Sequence, residues 1–413
     1  MQGSLQQPIG LYVHVPFCVS KCAYCDFASY AGREAEIPRY VEAVTREITR
    51  RGAETGHLLR PASPMNPSAA TESANPAGTA GFAAEQRSAA TSVSIKADTI
   101  FLGGGTPSLL DEVQVTRILE ALFEAFPIAE GAEITCECNP GTLTTPFAQA
   151  LAKAGVNRLS LGVQARQARL LHLLGRIHDW EQVIASVEIA RKAGFDNMNL
   201  DLMLGLPSQT VSDVRETLAA ALALSPTHLS CYGLMVEEGT PICRDITGGK
   251  LALPDEEIDR EMYELARQTL AEHGFHQYEI SNFARPGYAC RHNVGCWTRV
   301  PYLGFGCAAH SFFAECRTMN PSKLDAYLAG EEPETEPISK EKSRFESMML
   351  GLRMTRGVRN DDFARMHGMG IREAFGEKLD KPIAAGLLKW HEGALRLTRL
   401  GMDLENSVLV DLM

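Results

Sequence analysis

From Leu11 to about Tyr232 the chain alternates between short apolar runs and longer stretches in which apolar residues recur every three or four positions. The runs at 11–15, 99–102, 133–138, 158–162, 197–203 and 228–232 have the length and composition of buried strands. The stretches at 37–51, 113–126, 146–154, 180–193 and 211–224 predict amphipathic helices, with Asp111 and Asp179 standing where helix-starting side chains are expected. Repeated strand–helix units of this kind predict an α/β protein with a parallel sheet. Periodicity leaves open whether that sheet is doubly wound or curls into a partly closed barrel. Polar residues indicate where it works. Glu137, Gln164 and Asp201 fall at or near the later ends of otherwise apolar strands, where both kinds of α/β fold gather their sites, so one shared pocket is expected.

The rhythm breaks twice. Residues 53–97 are rich in Ala, Ser, Thr, Pro and Gly, and bury too little apolar surface to offset the entropy of ordering them. They are read as a disordered insertion within a core spanning 1–253. After Pro254 a helical pattern at 256–273 and an extended one at 276–284 lead into 286–313, which is rich in Gly and aromatic residues and carries Cys290, Cys296, Cys307, His292 and His310. Residues 254–330 are therefore read as an extension of the core. Beyond an acidic segment at 330–337, residues 338–413 predict helices, two short strands at 387–391 and 394–397, and a closing helix from Leu400. That pattern suits a small, separate α+β domain of winged-helix-like form.

Composition narrows the function class. With 413 residues, 45% hydrophobic and 22% charged, the chain is long enough for one large core and an appended domain. A net charge of -11 argues against a broad electropositive face, so no nucleic-acid partner is expected, and the cluster of Arg353, Arg356 and Arg359 reads as a solvated face or a dock against the core. No apolar run reaches the roughly 18 residues that span a bilayer, and residues 1–10 lack the pattern of a signal peptide. A cytoplasmic location is expected, with room left for peripheral membrane contact. In a reducing compartment the 11 cysteines read as metal ligands and small buried hydrophobes, not disulfides. Cys136, Cys138, Cys231, Cys243, Cys307 and Cys316 are taken as packing thiols, and His310 as structural.

Cys18, Cys22 and Cys25 follow the first strand as Cys-x3-Cys-x2-Cys. A structural zinc site normally takes four closed ligands, and no fourth Cys or His lies close behind. Three thiolates on a four-iron cluster would instead leave one iron open to an outside ligand. After the second strand comes Gly103-Gly104-Gly105-Thr106-Pro107. Consecutive glycines let backbone approach a ligand, although a plain tight turn has the same look, and the lysine of a phosphate-binding loop is missing.

The segments Leu11-Tyr12-Val13-His14-Val15-Pro16-Phe17-Cys18 and Lys21-Cys22-Ala23-Tyr24-Cys25-Asp26-Phe27 resemble the radical S-adenosylmethionine superfamily, specifically its anaerobic coproporphyrinogen oxidase-like branch. The resemblance covers most of the chain apart from the insertion. It implies a partial (β/α)6 TIM-type barrel with a small C-terminal α+β domain, and a [4Fe–4S] cluster on Cys18, Cys22 and Cys25. It further implies S-adenosylmethionine held by Gly104, Gly105, Thr106, Glu137, Gln164, Arg176 and Asp201, with Tyr12 and Tyr24 as aromatic neighbours. Carboxylates suit ribose hydroxyls and an ammonium, and an arginine suits a carboxylate. Arg291-His292-Asn293-Val294-Gly295-Cys296-Trp297 is similar to a heme-associated stretch of that branch, which makes His292 a heme-ligand candidate and Cys290 or Cys296 a possible second. Cys296 stands where the family pattern has Tyr, and a hydrogen-bonded positioning role for His292 is the competing reading.

Two functions follow from the resemblance. One is a heme chaperone that binds heme and passes it to an acceptor protein, as a monomer or a homodimer. The other is an oxygen-independent coproporphyrinogen III dehydrogenase, working by radical oxidative decarboxylation. The oxidases carry a longer arm before the cluster strand and a further cysteine just after the triplet, whereas here Asp26 and Phe27 follow Cys25, so the chaperone is expected. No residue is assigned a catalytic role.

Overall fold

The computed structural model describes residues 7–59 and 95–413. Strands β1 (Gln7–Val15), β2 (Ile95–Gly104), β3 (Ile128–Cys138), β4 (Arg158–Gln164), β5 (Met198–Leu204) and β6 (His228–Gly233) pair side by side, all parallel and in chain order. Helices α1 (Ile37–Leu59), α2 (Glu112–Ala125), α3 (Thr145–Lys153), α4 (Trp180–Lys192) and α5 (Val211–Ala223) connect them. A doubly wound sheet reverses its strand order at a switch point. This one does not, and the order is that of a barrel wall, left partial because its two ends carry other strands.

Strand alternation builds the wall. Leu11, Val13 and Val15 in β1, Leu159, Leu161 and Val163 in β4, and Leu200, Leu202 and Leu204 in β5 are buried in the main core. Alternate positions carry Tyr12 and His14, Arg158 and Ser160, and Asn199 and Asp201. Side chains alternate across a strand with period two, so these polar residues share the opposite face, the one that lines the lumen. Each buried Leu or Val on the outer face contributes roughly 1.5–3 kcal/mol. Asp111 and Asp179 cap α2 and α4: each accepts from the backbone N–H three residues on, at 2.8 and 2.9 Å, while Gln114 and Gln182 reach back to the cap's own N–H. Those reciprocal bonds fix where the helices start.

The first break in the sequence is narrower at both ends than its composition suggests. Residues 53–59 continue α1, and 95–97 open β2; the rest of the expected disordered insertion, 60–94, lies outside the described residues. The second region holds more regular structure than its composition suggests. After α6 (Glu256–Glu272) and β7 (Asn282–Ala284), which pairs antiparallel with β6, comes α7 (Arg291–Trp297) and then β8 (Tyr302–Phe305). β8 runs parallel to β1 on the edge away from β2, with Tyr302 opposite Gly10. The sheet continues through three antiparallel strands at His310–Phe313, Cys316–Met319 and Glu334–Pro337, so the acidic segment is an edge strand.

The C-terminal residues form their own cluster around Met348, Leu352, Phe363, Leu379, Leu395 and Leu397, with a hairpin of Leu388–His391 and Ala394–Leu397. A third short strand, Val358–Arg359, pairs with the second arm of the hairpin. The closing helix is split at Leu404 into Arg399–Asp403 and Glu405–Leu412. Of the three clustered arginines, Arg353 docks on the extension: its guanidinium lies 4.6 Å from the Trp297 ring centre and 3.5 Å from both Glu279 and Glu405. Arg356 and Arg359 are exposed.

Candidate functional site

One cavity of about 690 Å³ runs down the barrel, and Cys18, Cys22 and Cys25 line its mouth, all half-buried. The loop carrying them is tied to the barrel by His14. Its Nε2 lies 2.9 Å from the Ala28 carbonyl, which can only accept, so Nδ1 accepts from the Tyr12 hydroxyl at 2.9 Å. Tyr12 thus reaches the lumen on a fixed ring. Gly104 sits against that histidine at a φ of +105°, and a Cβ there would come within 2.5 Å of Nδ1. Gly105 donates its N–H to Val15 and Thr106 to the Phe17 carbonyl, so the glycine run continues the β1–β2 pairing into the cysteine loop. At Gly105 a Cβ would meet that loop's backbone at 2.6 Å.

A chain of donors ends on two of the sulfurs. Arg176 donates from Nη1 to Cys22 Sγ at 3.5 Å and from Nη2 to Asn139 Oδ1 at 2.7 Å and the Gly162 carbonyl. Asn139 Nδ2 donates to Thr106 Oγ1 at 2.9 Å, which spends its one proton on Cys18 Sγ at 3.5 Å. Donors and a guanidinium aimed at sulfur favour thiolates and tune an iron–sulfur cluster. Among the described residues no three His, Cys, Asp or Glu side chains converge as a single ion would need; a cubane holds its thiolates farther apart. Burial raises the Cys25 thiol.

Below the mouth, Glu137 accepts from the Gly104 N–H at 3.0 Å, and burial, then the neighbouring Asp201, push its carboxyl up to about 7. Asp201 is also raised by burial, against hydrogen bonds from Asn199 at 2.7 Å and Ser160 at 3.2 Å. Gln164 lines the same cavity from a left-handed backbone, φ +68°, where β4 bulges against β5. Non-glycine residues seldom hold that conformation, and it turns this side chain to the lumen. Tyr24 also lines the cavity, with its phenol raised by burial. The predicted mouth residues therefore all converge.

His292 lies at the other end of the cavity, buried within α7. Its Nδ1 is 2.9 Å from Thr99 Oγ1, its ring stacks on Phe101 at 5.0 Å, and burial, with Arg158 nearby, lowers it to about 4. The segment is held by Glu133 at the foot of β3, which accepts the backbone N–H groups of Arg291 at 2.9 Å and His292 at 3.0 Å. Cys290 is fully buried, donates to Glu133 and is pushed up to about 12; Cys296 is pushed up to about 11. Burial is the main cause in both cases. Sequence reasoning missed Asn139, His14, Glu133 and Arg158. The last had a signal, a charged residue opening the apolar run of β4.

A parallel partial barrel with three cysteines at its mouth is the arrangement of a radical S-adenosylmethionine protein. The family description "Radical SAM superfamily" matches residues 85–221, and "HemN C-terminal domain" matches 338–404. The chain belongs to the HemW family. It is 35% identical to heme chaperone HemW of Bacillus subtilis (strain 168), over 96% of this chain and 97% of that one. It is 32% identical to heme chaperone HemW of Escherichia coli (strain K12), over 97% of each. The solved coproporphyrinogen III oxidase (HemN) from Escherichia coli, described as a radical SAM enzyme, superposes with a TM-score of 0.77 at 22% identity, covering 98% of this chain and 90% of its own. That likeness shows the fold. Among the described residues no helix is long and apolar enough to cross a membrane.

Proposed function

We propose that this chain binds heme and passes it to an acceptor protein, on a scaffold that carries a [4Fe–4S] cluster and S-adenosylmethionine. The observation that carries the heme reading is His292. It lines the cavity that begins at the three cysteines, its imidazole is neutral, and Nε2 bonds to no described residue. Neutral imidazole is the form that ligates heme iron. The relatives named heme chaperone support the same reading. A cytoplasmic location and a monomer or homodimer belong to the proposal.

Cys18, Cys22 and Cys25 would hold the cluster, which when bound supplies an electron and an open iron site for the amino acid part of S-adenosylmethionine. The protein's own part is to orient. Gly104, Gly105 and Thr106 hold the wall open beside the cysteine loop, while Glu137, Gln164 and Asp201 present acceptors and an amide to ribose and ammonium groups. Arg176 keeps part of its guanidinium for the carboxylate, and Tyr12 and Tyr24 flank the site.

Heme titration of wild type and His292→Ala, followed by the Soret band, tests the assignment. The variant is expected to bind at least tenfold more weakly; equal binding would remove His292 as ligand. An anaerobic assay for coproporphyrinogen decarboxylation runs alongside, and turnover there would replace the chaperone reading with the dehydrogenase.

A further inference from the structure

Arg158 opens β4 and points into the lumen. It is among the largest fully buried side chains of the protein, with 2% of its surface exposed, yet it lines the cavity. Among the described residues its guanidinium makes no ion pair and no side-chain hydrogen bond, and Nε is wholly enclosed without a partner. Glu133 and Asp201 hold its charge by their field, but neither bonds it, and the carboxylates around it have their hydrogen bonds elsewhere. Glu133 takes the N–H groups of α7, Asp201 is bonded by Asn199 and Ser160, and Glu137 accepts from Gly104. A buried guanidinium without hydrogen-bond partners is costly to retain, and its fork matches a carboxylate with two parallel bonds.

Arg158 lies close to His292, whose imidazole it helps to lower, away from the cysteine mouth of the same cavity. The cavity's volume falls in the range of small-molecule sites.

We propose that Arg158 seats a carboxylate of the ligand that enters this lumen. Resting on the heme reading of this cavity, with His292 close by, that carboxylate is a propionate. Arg158 is then the residue by which the site tells a free tetrapyrrole acid from its ester.

The test titrates the cluster-loaded full chain with heme and with heme dimethyl ester, in wild type, Arg158→Gln and Arg158→Lys. Cluster absorbance and thermal unfolding check that each variant folds. Wild type is expected to prefer the free acid by about 10- to 100-fold, the range of one hydrogen-bonded charge. Arg158→Gln should lose that preference, and Arg158→Lys should keep part of it. Equal wild-type binding of acid and ester overturns the proposal without touching the heme reading. So does a preference that survives in Arg158→Gln. Wild type that binds neither overturns the heme reading, and this proposal with it. The wild-type comparison stands even if a variant fails to fold.

Discussion

Glu137→Gln should stabilise the folded chain above neutral pH while damaging the site. The ordinary carboxyl value is 4.5, and burial holds this group up to about 7. The unfolded chain ionises it from about 4.5 and the folded chain only near 7, so across that window stability falls as pH rises, and above it the loss is constant. At 1.36 kcal/mol for each pH unit the window sets an upper limit of about 3 kcal/mol. Because the carboxyl lines an open cavity, water screens it, and about 1–3 kcal/mol is expected. Glutamine keeps a carbonyl oxygen for the Gly104 N–H and cannot ionise. Urea unfolding of the cluster-free chain at pH 8.5 should therefore show the variant more stable by that amount, with the advantage near zero at pH 5. An equal advantage at both pH values, or a loss at pH 8.5, would refute the reasoning. The same variant loaded with cluster should bind S-adenosylmethionine more weakly, so stability and function pull apart at this residue.

Cys22→Ala, reconstituted with iron and sulfide, should lose the near-ultraviolet to visible absorption of a four-iron cluster; full retention would end the cluster assignment. Gly104→Ala places a Cβ 2.5 Å from the His14 ring at φ +105°, and should cost roughly 1–3 kcal/mol in urea unfolding and lower S-adenosylmethionine affinity measured by calorimetry. Asp179→Ala removes the reciprocal cap of α4 and should cost about 1 kcal/mol in urea unfolding with cluster absorbance unchanged.

The wall of the barrel was legible because each of its strands is an apolar run and each helix an amphipathic one. Asp111 and Asp179 even marked helix starts, with glutamines three residues on completing both caps. Strand order was not legible, since the same periodicity serves a doubly wound sheet. β8 was missed because four residues, Tyr302–Phe305, give no period to read, and its partner lies in β1 nearly three hundred residues earlier. The mouth of the site followed from a known motif. Its floor did not: Glu133 and Arg158 are ordinary charged residues in sequence, and only the inward face of the strands brings them beneath Glu137 and Asp201. Asn139 joins the candidate site for the same reason, through bonds to Arg176 and Thr106 that link three separate loops.

The pairing of β8 with β1 also bears on synthesis. β1 and the cysteine loop leave the ribosome well before β8, so one edge of β1 has no neighbour until Tyr302–Phe305 has emerged. At about 5–20 residues per second, that edge stays open for tens of seconds. An unpaired strand edge of apolar composition invites pairing with other chains. The nascent protein thus passes through a period in which its cysteine loop is made but not yet framed, and anything that loads or shields that loop has its opportunity then.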